Sequence, residues 1–270
     1  SLKGNDANDG KTATTAFRTI AKGVSVLKAG DALIIKSGNY GNERVRVLRS
    51  GTKDAPITIK AEEPGKVILK GTGGGAGLSI VNKSYIIIEG LQITNVRRWL
   101  YAIRSHHNII RRNRFSQALD PGGSSKTGLF FQEASYNRIL ENIIEGSTQD
   151  NLALIKSDRN IIEGNIFRKA RHALWTVKGG NFNVFRNNYF HNEWQKIGEV
   201  YDCHGVGFKH EFFIYNCTKH NLIEKNTFAF TPSSGRHSPY AGIQYAGQSG
   251  IIRQNVFHDT VGPGLSLTLY

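Results

Sequence analysis

Six copies of one short pattern constrain the fold of this chain more than any other feature of its sequence. Most copies contain an asparagine, two apolar and two polar positions, a second asparagine and, two residues later, a phenylalanine or isoleucine; they begin at Asn108, Asn137, Asn160, Asn183, Asn221 and, without the first asparagine, Gly250. The second asparagines lie at positions 113, 142, 165, 188, 226 and 255, so the spacings are 29, 23, 23, 38 and 29 residues. A fixed minimum spacing is typical of a solenoid, in which the shortest repeat is one bare coil and longer spacings contain insertions.

The pattern within each copy predicts β-strands rather than helices. Apolar residues such as Ile110 and Ile139 occupy alternating positions, so they are expected to point into a shared core. Successive coils then pair in parallel at about 4.8 Å. An asparagine at the same point of each coil can bond its side-chain amide to the next, which predicts a ladder. A second internal stack is expected from Phe115, Phe167, Phe190, Phe228 and Phe257.

Other repeat architectures fit less well. A leucine-rich repeat needs a leucine frame that the sequence lacks, and helical repeats are disfavoured because β-branched and aromatic residues dominate with a period of two. The segment Ala16–Leu27 differs, since its apolar residues have helical spacing. It is expected to form a short amphipathic helix that covers the open N-terminal end of the solenoid.

The repeat predicts a single domain over residues 1–270. Residues 1–40 are expected to form the N-terminal cap and first coil, and residues 41–270 the remaining coils. Early strands are predicted at Ala32–Lys36, Ile57–Ala61 and Lys66–Lys70. The final GLSLTLY segment has the pattern of a first strand of another coil, so the native chain is expected to extend beyond residue 270.

The N-terminal region also contains recognisable motifs. A Gly-x-Asp-x-x-Asp-Gly turn at residues 4–10 precedes Phe17–Ile20, and a Gly-Asp turn at residues 30–31 precedes a strand that ends in Gly38-x-Tyr40. Ser50–Ala61 matches the segment that usually follows. In these motifs the chain resembles secreted right-handed β-helix proteins of the pectate-lyase-like superfamily. The resemblance implies an all-β, right-handed parallel β-helix with a short N-terminal capping helix.

The resemblance also implies a class of function. The best-known members of this superfamily act on uronic-acid polymers such as pectate, alginate and glycosaminoglycans, are generally exported, and in some cases need calcium. We therefore expect a secreted or periplasmic protein whose signal peptide has been removed. No complete catalytic motif of one lyase family is present. The absence of an Asp-Asp dipeptide counts against the carboxylate pair of a polygalacturonase-type hydrolase.

The charge of the chain indicates an anionic partner. Its formal net charge is +14 and its pI about 9.8, which favours polyanions such as acidic polysaccharide or nucleic acid. Nucleic acid is the weaker choice because the basic residues are spread over many coils without a known motif. No apolar run approaches the roughly 18 residues of a membrane span. We expect a monomer; whether Cys203 and Cys217 form a disulfide is left open.

The insertions are expected to wall a groove along one side of the coils. They are predicted at Ser116–Thr127, His191–Phe208 and Ala229–Pro239, just before the strand that leads to the first asparagine. The strands beside this groove are those containing Phe131, Leu154, Trp175, Phe213 and Gln244. Binding residues commonly gather on loops that a rigid scaffold holds in place.

Basic and imidazole side chains cluster around this groove. β-Elimination from a uronate needs a base, a cation that neutralises the carboxylate, and an acid for the leaving oxygen. Lys209 or His210 is the predicted base, with Arg171 as carboxylate clamp and His172 as acid one coil earlier. The predicted substrate-binding residues are Lys156, Trp175, Lys178, His191, Trp194, His204, Arg236, His237 and Tyr240. Trp175 can face the groove only if its neighbours Leu174 and Thr176 point inward.

The sequence predicts no defined metal site. Acidic residues near the long insertion fit either calcium ligands or, as the favoured alternative, ion-pair partners of nearby cations; they are Glu193, Glu199, Asp202 and Glu211. The spacing of His191, Cys203, His204 and His210 fits no closed zinc pattern. Calcium is thus the one cofactor left open.

These features favour a carbohydrate-active enzyme that cleaves a uronic-acid polysaccharide by β-elimination. A glycoside hydrolase or a uronate epimerase on the same scaffold is the first alternative. A non-catalytic, glycan-binding surface solenoid is the second. The sequence identifies neither the sugar nor the linkage.

Overall fold

Three long parallel sheets form the body of the molecule in a computed structural model. The structure describes residues 1–119, 128–194, 196–200, 218–231 and 241–267. Each sheet has nine described strands, and the chain visits the three sheets in the same order on every turn. Each coil therefore adds one strand to each sheet, which confirms the predicted parallel β-helix.

The strands and the helix are numbered in chain order. The first sheet contains β1 (Ala32–Ile35), β4 (Ile57–Ala61), β7 (Ile86–Glu89), β10 (Ile109–Arg111), β13 (Arg138–Leu140), β16 (Ile161–Glu163), β19 (Val184–Arg186), β22 (Leu222–Glu224) and β25 (Ile251–Arg253). The second contains β2 (Gly38–Asn39), β5 (Val67–Lys70), β8 (Leu91–Val96), β11 (Arg114–Ala118), β14 (Ile143–Ser147), β17 (Ile166–Ala170), β20 (Tyr189–His191), β23 (Thr227–Thr231) and β26 (Val256–Thr260). The third contains β3 (Val45–Arg46), β6 (Ala76–Val81), β9 (Arg98–Ile103), β12 (Gly128–Gln132), β15 (Leu152–Ile155), β18 (Ala173–Lys178), β21 (Lys196–Val200), β24 (Ile243–Tyr245) and β27 (Leu265–Leu267). The helix is α1 (Ile20–Val26).

Two asparagine ladders hold the corners of the coils. In the ladder between the first and second sheets, Asn113 Nδ2 donates to Asn142 Oδ1 at 3.2 Å, and Asn142 donates to Asn165 and Asn165 to Asn188 at 3.0 Å. The ladder continues through Asn226 and ends at Asn255. The predicted column of asparagines is confirmed. A second ladder before the first sheet joins Asn108, Asn137, Asn160, Asn183 and Asn221.

The inner faces of the sheets enclose one continuous apolar core. Ile110 and Ile139 are fully buried and adjacent in the first sheet, as the alternation predicted. The rings of Phe167 and Phe190 stack with centroids 5.1 Å apart, and the stack continues through residues 228 and 257. Phe115 belongs to the same inward column but is separated from Phe167 by Ile144.

The N-terminal helix is shorter than the sequence predicted. It begins after Thr19, not at Ala16, and ends at Val26. Asp6 explains the difference, because its Oδ1 accepts the backbone N–H groups of Arg18 and Thr19, both at 2.9 Å, and holds the preceding residues outside the helix. Glu43 then caps the helix by accepting the N–H of Ile20 at 2.6 Å. The aspartate turn of the N-terminal motif therefore fixes the cap in place.

The predicted strands were more accurate than the predicted insertion boundaries. The three early strands lie within one residue of their predicted ends. The predicted insertions, however, start too early, because Ser116, His191 and Ala229 all belong to second-sheet strands. The strand assigned around Phe213 was also misplaced: β21 pairs with β18 and supplies the third-sheet strand of that coil. The extra residues of this coil therefore follow β21 and do not precede it.

Candidate functional site

The outer face of the third sheet presents one continuous column of side chains, one from each coil. Parallel pairing aligns the outward positions from strand to strand. From the N-terminal end they are Arg46, Ser79, Tyr101, Phe130, Ala153, Thr176, Glu199, Gln244 and Ser266. The four side chains from Phe130 to Glu199 are at most 2% exposed. The sequence predicted a groove along this face, and that groove stays a prediction.

Three side chains from consecutive coils meet at the middle of this face. His172 lies just before β18, and its Nδ1 is 2.6 Å from Oδ1 of Asp150, which lies just before β15. On the other side of the ring, Nε2 is 3.9 Å from Oε2 of Glu199 in β21. Both carboxylates are only 2% exposed, whereas the imidazole is partly open to solvent. We call these three residues the histidine site.

The coil geometry explains why these residues meet. Asp150 and His172 are 22 residues apart, close to one bare coil, so the same turn of two stacked coils supplies both side chains. The turn is fixed by backbone bonds between the coils, in which Arg171 N–H donates to Ser147 C=O at 3.1 Å and His172 N–H to Gln149 C=O at 3.3 Å. The imidazole is therefore positioned by the scaffold as well as by its carboxylate partner.

The arrangement is suited to proton transfer. With the proton on Nδ1, His172 donates a hydrogen bond to Asp150, which fixes the orientation of the ring. Two buried carboxylates beside one imidazole also stabilise the positive charge of its protonated form. The site can thus hold a proton that is available to an oxygen bound on the outer face.

Several of the predicted groove residues lie on the same two coils as Asp150 and His172. Arg171 is exposed next to His172, and Lys178 lies at the end of the same strand. Lys156 is exposed one coil earlier, at the corner after β15, with a φ of 46°. The structure therefore brings Arg171, His172, Lys156 and Lys178 to one side of the molecule.

Trp175 does not belong to the groove, which corrects the sequence prediction. Its side chain is fully buried and packs on Phe185 with ring centroids 4.5 Å apart. Gly198, its partner in the next coil, leaves the space that the indole fills: a Cβ there would come within 2.1 Å of the ring. The register of β18 places Thr176 outward instead, because alternate residues point to opposite faces.

His191 and Trp194 lie beside the groove rather than in it. His191 ends β20 of the second sheet, where its Nε2 is 3.0 Å from Glu193 Oε1 and its ring packs against Phe230 at 4.4 Å. Trp194 follows on the connection toward the third sheet and is 43% exposed. Its indole is thus available to a ligand at the rim of the face, while His191 is engaged by its neighbours.

The remaining predicted residues lie outside the part of the chain that the structure describes. They are Lys209, His210, His204, Arg236, His237 and Tyr240, together with Asp202, Cys203, Glu211 and Cys217. Their predicted roles stay predictions.

No metal centre is evident among the described residues, where no group of three or more potential ligands has the geometry to hold an ion. Glu193 pairs with His191, and Glu199 approaches His172.

Tyr245 of β24 is unsuited to proton transfer at the groove. Burial raises the pKa of its hydroxyl to about 12, and the side chain is only 6% exposed.

Asp150, which orients the imidazole, was not among the residues predicted from the sequence. The coil spacing indicates the pairing of Asp150 with His172, because position 150 plus the 23 residues of one bare coil is position 173, next to His172. The cationic residues of the region indicate anion binding, but residue type alone does not show which carboxylate holds the imidazole. Glu199 was considered only as a calcium ligand or ion-pair partner.

Comparison with known proteins identifies the family. A model of the Pel9A-like right-handed β-helix region matches residues 1–210. The chain belongs to the Pel9A-like right-handed β-helix family. The coils of this family wind to the right, which completes the predicted fold class. No curated protein has a sequence that matches this one.

Solved structures with low sequence identity share this family's fold. An alginate lyase from Paenibacillus sp. str. FPU-7 is 17% identical with a TM-score of 0.62, over 91% of this chain and 93% of the lyase. Pectate lyase Pel9A is 14% identical with a TM-score of 0.65, over 98% of this chain and 76% of that protein. The catalytic domain of a GH87 α-1,3-glucanase in complex with nigerose is 13% identical with a TM-score of 0.50, over 84% and 48% of the two chains. At these identities the likeness extends to the fold alone.

The described residues contain no helix with the length and apolar character of a membrane span.

Proposed function

We propose that this protein is a secreted polysaccharide lyase that cleaves a uronic-acid polymer by β-elimination on the outer face of the third sheet. The observation that carries the proposal is the histidine site, in which a buried carboxylate holds an accessible imidazole at 2.6 Å. The net charge of +14 favours an anionic substrate. Lyases of alginate and pectate among the structural neighbours are consistent with this chemistry on this scaffold.

The proposed reaction uses residues on both sides of the histidine site. A base, for which Lys209 or His210 is proposed, removes the C5 proton of the uronate. The electrons of that C–H bond form the C4–C5 double bond while the C4–O bond breaks. His172 gives its proton to the leaving oxygen, and Asp150 stabilises the imidazolium before transfer. Arg171 neutralises the carboxylate whose charge grows as the C5 proton leaves, since its guanidinium can bind both oxygens.

The flanking residues are proposed to bind neighbouring sugars. Lys156 and Lys178 carry positive charge on the same side of the molecule as the histidine site. The exposed Trp194 offers an aromatic surface at the rim. His204, Arg236, His237 and Tyr240 are proposed to complete the groove.

A glycoside hydrolase is the second candidate, and one observation favours it. Asp150 and Glu199 approach opposite nitrogens of the same imidazole, so two carboxylates that are far apart in the sequence lie at one site. Glycosidases commonly use two carboxyl groups on either side of the scissile bond. The α-1,3-glucanase among the structural neighbours shows that a related scaffold is found in a hydrolase.

Product analysis on a panel of alginate, pectate, hyaluronan and chondroitin distinguishes these functions. The proposal predicts shorter chains and a rise in the ultraviolet absorbance of unsaturated uronate for at least one polymer. New reducing ends without unsaturation would indicate hydrolysis, and altered sugar stereochemistry without cleavage would indicate epimerisation. Binding without turnover on every polymer would support a glycan-binding solenoid and refute the lyase.

A further inference from the structure

A basic cleft lies at the N-terminal end of the same outer face, well away from the histidine site. It encloses about 760 Å³ and is formed by β3, β6 and β9 with their adjoining turns. Arg44, Arg46 and Lys83 line it, together with Tyr101 and Asn82. None of the described residues that line the cleft is acidic.

The cations of the cleft differ from several other cations on the coils, which lie beside carboxylates. On the first sheet, two of the arginines lie beside a carboxylate of the neighbouring coil: Arg111 lies 2.7 Å from Glu89, and Arg253 lies 2.7 Å from Glu224. Arg46 in the cleft has no ion pair among the described residues. Its charge is therefore available to an external anion.

The glycine run beside the cleft positions one of the guanidinium groups. Arg44 Nη2 donates to the carbonyl of Gly74 at 3.2 Å. Gly75 has a φ of +62°, and a Cβ at this position would come within 2.2 Å of Arg44 Nη1. The loop therefore passes close to the guanidinium, its positive φ favours glycine, and the bond to Gly74 places Arg44 at the cleft wall.

Tyr101 forms a rigid wall on the side that faces the rest of the groove. Its ring stacks on Phe130 with centroids 5.7 Å apart and an interplanar angle of 13°, and the guanidinium of Arg98 lies 5.4 Å from its centroid. A phenol held in this way offers a hydroxyl that can donate to or accept from a sugar hydroxyl.

The register of the third sheet fixes the distance between the cleft and the histidine site. Ser79 in the cleft and Thr176, the strand partner of Glu199, occupy the same outward column, with Tyr101, Phe130 and Ala153 between them. Four strand spacings of roughly 4.8 Å separate the two by about 19 Å. A single sugar cannot bridge this distance. Because Phe130, Ala153 and Thr176 are at most 2% exposed, a polymer that reaches both places must run beside this column and not over it.

We propose that this cleft is a second binding site for the uronate polymer, in which Arg44, Arg46 and Lys83 bind sugar carboxylates remote from the bond that is cleaved. The inference rests on the proposed anionic substrate and deepens it by assigning a second contact. Long chains gain affinity by occupying both sites, because the second contact becomes intramolecular. Short oligosaccharides that occupy only the histidine site gain nothing from the cleft.

The test compares charge-matched variants in binding assays. The R46A/K83A variant removes two cleft cations, and K70A/R138A removes two exposed cations from the second and first sheets. Each is titrated with long and short chains of the polymer that the native protein binds, at about 0.1 M salt. The cleft variant should bind long chains about tenfold or more weakly, with little change for short chains, while the control variant stays within about threefold.

Three outcomes would overturn the inference. Equal losses in both variants would mean that only net charge matters. Unchanged long-chain binding by R46A/K83A, or by the charge reversal R46E, would mean that the cleft does not contact the polymer; thermal unfolding of each variant verifies that it is folded. Equally tight, cleft-dependent binding of a DNA oligomer would indicate a general polyanion site.

Binding and cleavage are measured separately, so the two proposals fail separately. A chain that binds through the cleft but cleaves no polymer would refute the proposed lyase and keep the cleft. A chain that cleaves a uronate polymer with no contribution from Arg46 and Lys83 would refute the cleft and keep the lyase.

Discussion

At the scale of single residues, the repeated positions were predictable and the unrepeated ones were not. Asn113 and Asn142 form the predicted ladder because the same residue recurs wherever the coil requires the same backbone geometry and the same hydrogen bonds. Asp150 occurs once, and its role depends on which turn of the next coil faces it. Residues that recur in every coil predict the scaffold, whereas the candidate site consists of residues that occur only once.

A further residue-scale feature was present in the sequence and was overlooked. The residue just before each asparagine of the second ladder has a planar side chain, and these side chains stack outside the coils with positive φ; they are His107, Tyr136, Arg159, Phe182 and His220. Tyr85, which precedes Ile86 at the same corner of the coil before, begins the stack. Residue type varies among tyrosine, histidine, arginine and phenylalanine, so a search for identical residues does not find the stack. Their shared property is a flat group that can stack at the coil spacing.

Replacement of a ladder asparagine should be strongly destabilising. In Asn165→Ala, the N–H and side-chain amide of Asn142 lose the oxygen that accepts them, and Asn188 Oδ1 loses its side-chain donor. Because these groups are buried, we expect a loss of about 2–4 kcal/mol in the free energy of unfolding. The exposed Asn42→Ala should change it by less than about 0.5 kcal/mol. Denaturant unfolding measures both; similar small losses would contradict a structural ladder.

His106 should make stability depend on pH. Burial, aided by the neighbouring His107, lowers the pKa of His106 below its ordinary value, and its Nδ1 accepts the N–H of Ser135 at 3.2 Å. Its folded form is neutral, so the unfolded chain takes up a proton first as the pH falls through the ordinary histidine pKa. Stability contributed by this residue is present above that pH and is lost below it.

The His106→Asn variant isolates this contribution. Melting temperatures of the native protein and the variant are compared at about pH 7.5 and about pH 5. The variant should lose less stability on acidification than the native protein. An equal or larger loss in the variant would show that His106 does not contribute to the acid sensitivity.

At the scale of elements, strands were predicted well because alternation and coil spacing are local and repeated. The errors arose where tertiary contacts override a local pattern. Helix α1 starts late because Asp6, which is distant in sequence, binds the N–H groups of Arg18 and Thr19. Strand β21 was missed because its sequence, KIGEV, contains the glycine that accommodates Trp175 of the preceding coil. A sequence pattern alone does not reveal which neighbour requires that glycine.

Deletion of one coil tests whether the coil is the structural unit. Removing residues 143–165 deletes one bare coil and joins Asn142 to Ile166, so that Asn142 takes the place of Asn165 beneath Asn188. Removing residues 143–155 instead deletes β14 and β15 but keeps β16, so the chain would return to the first sheet without crossing the other two. The whole-coil deletion should retain a β-sheet circular dichroism spectrum and a cooperative thermal transition, and the partial deletion should not. Equal behaviour of the two would refute the coil as the structural unit.

At the scale of the whole molecule, the repeated coils form a long face on each sheet. Function is expected where charged or polar residues that do not repeat lie on such a face. The third sheet has two such places, the histidine site and the basic cleft. The sequence assigned Arg171 and His172 to this face, and their roles in catalysis stay proposals. It did not predict the cleft, because Arg46 and Lys83 lie in early coils that lack the asparagine pattern and meet only through the register of β3, β6 and β9.

The most direct test of the proposed chemistry compares His172 with a histidine elsewhere on the coils. The kcat/KM for the polymer that the native protein cleaves is measured for His172→Ala and for His220→Ala, which alters a ring in the external stack. We predict a loss of about a hundredfold or more for His172→Ala and a change within about twofold for His220→Ala. Native-like cleavage by a folded His172→Ala variant would contradict the assignment of the chemistry to the outer face of the third sheet.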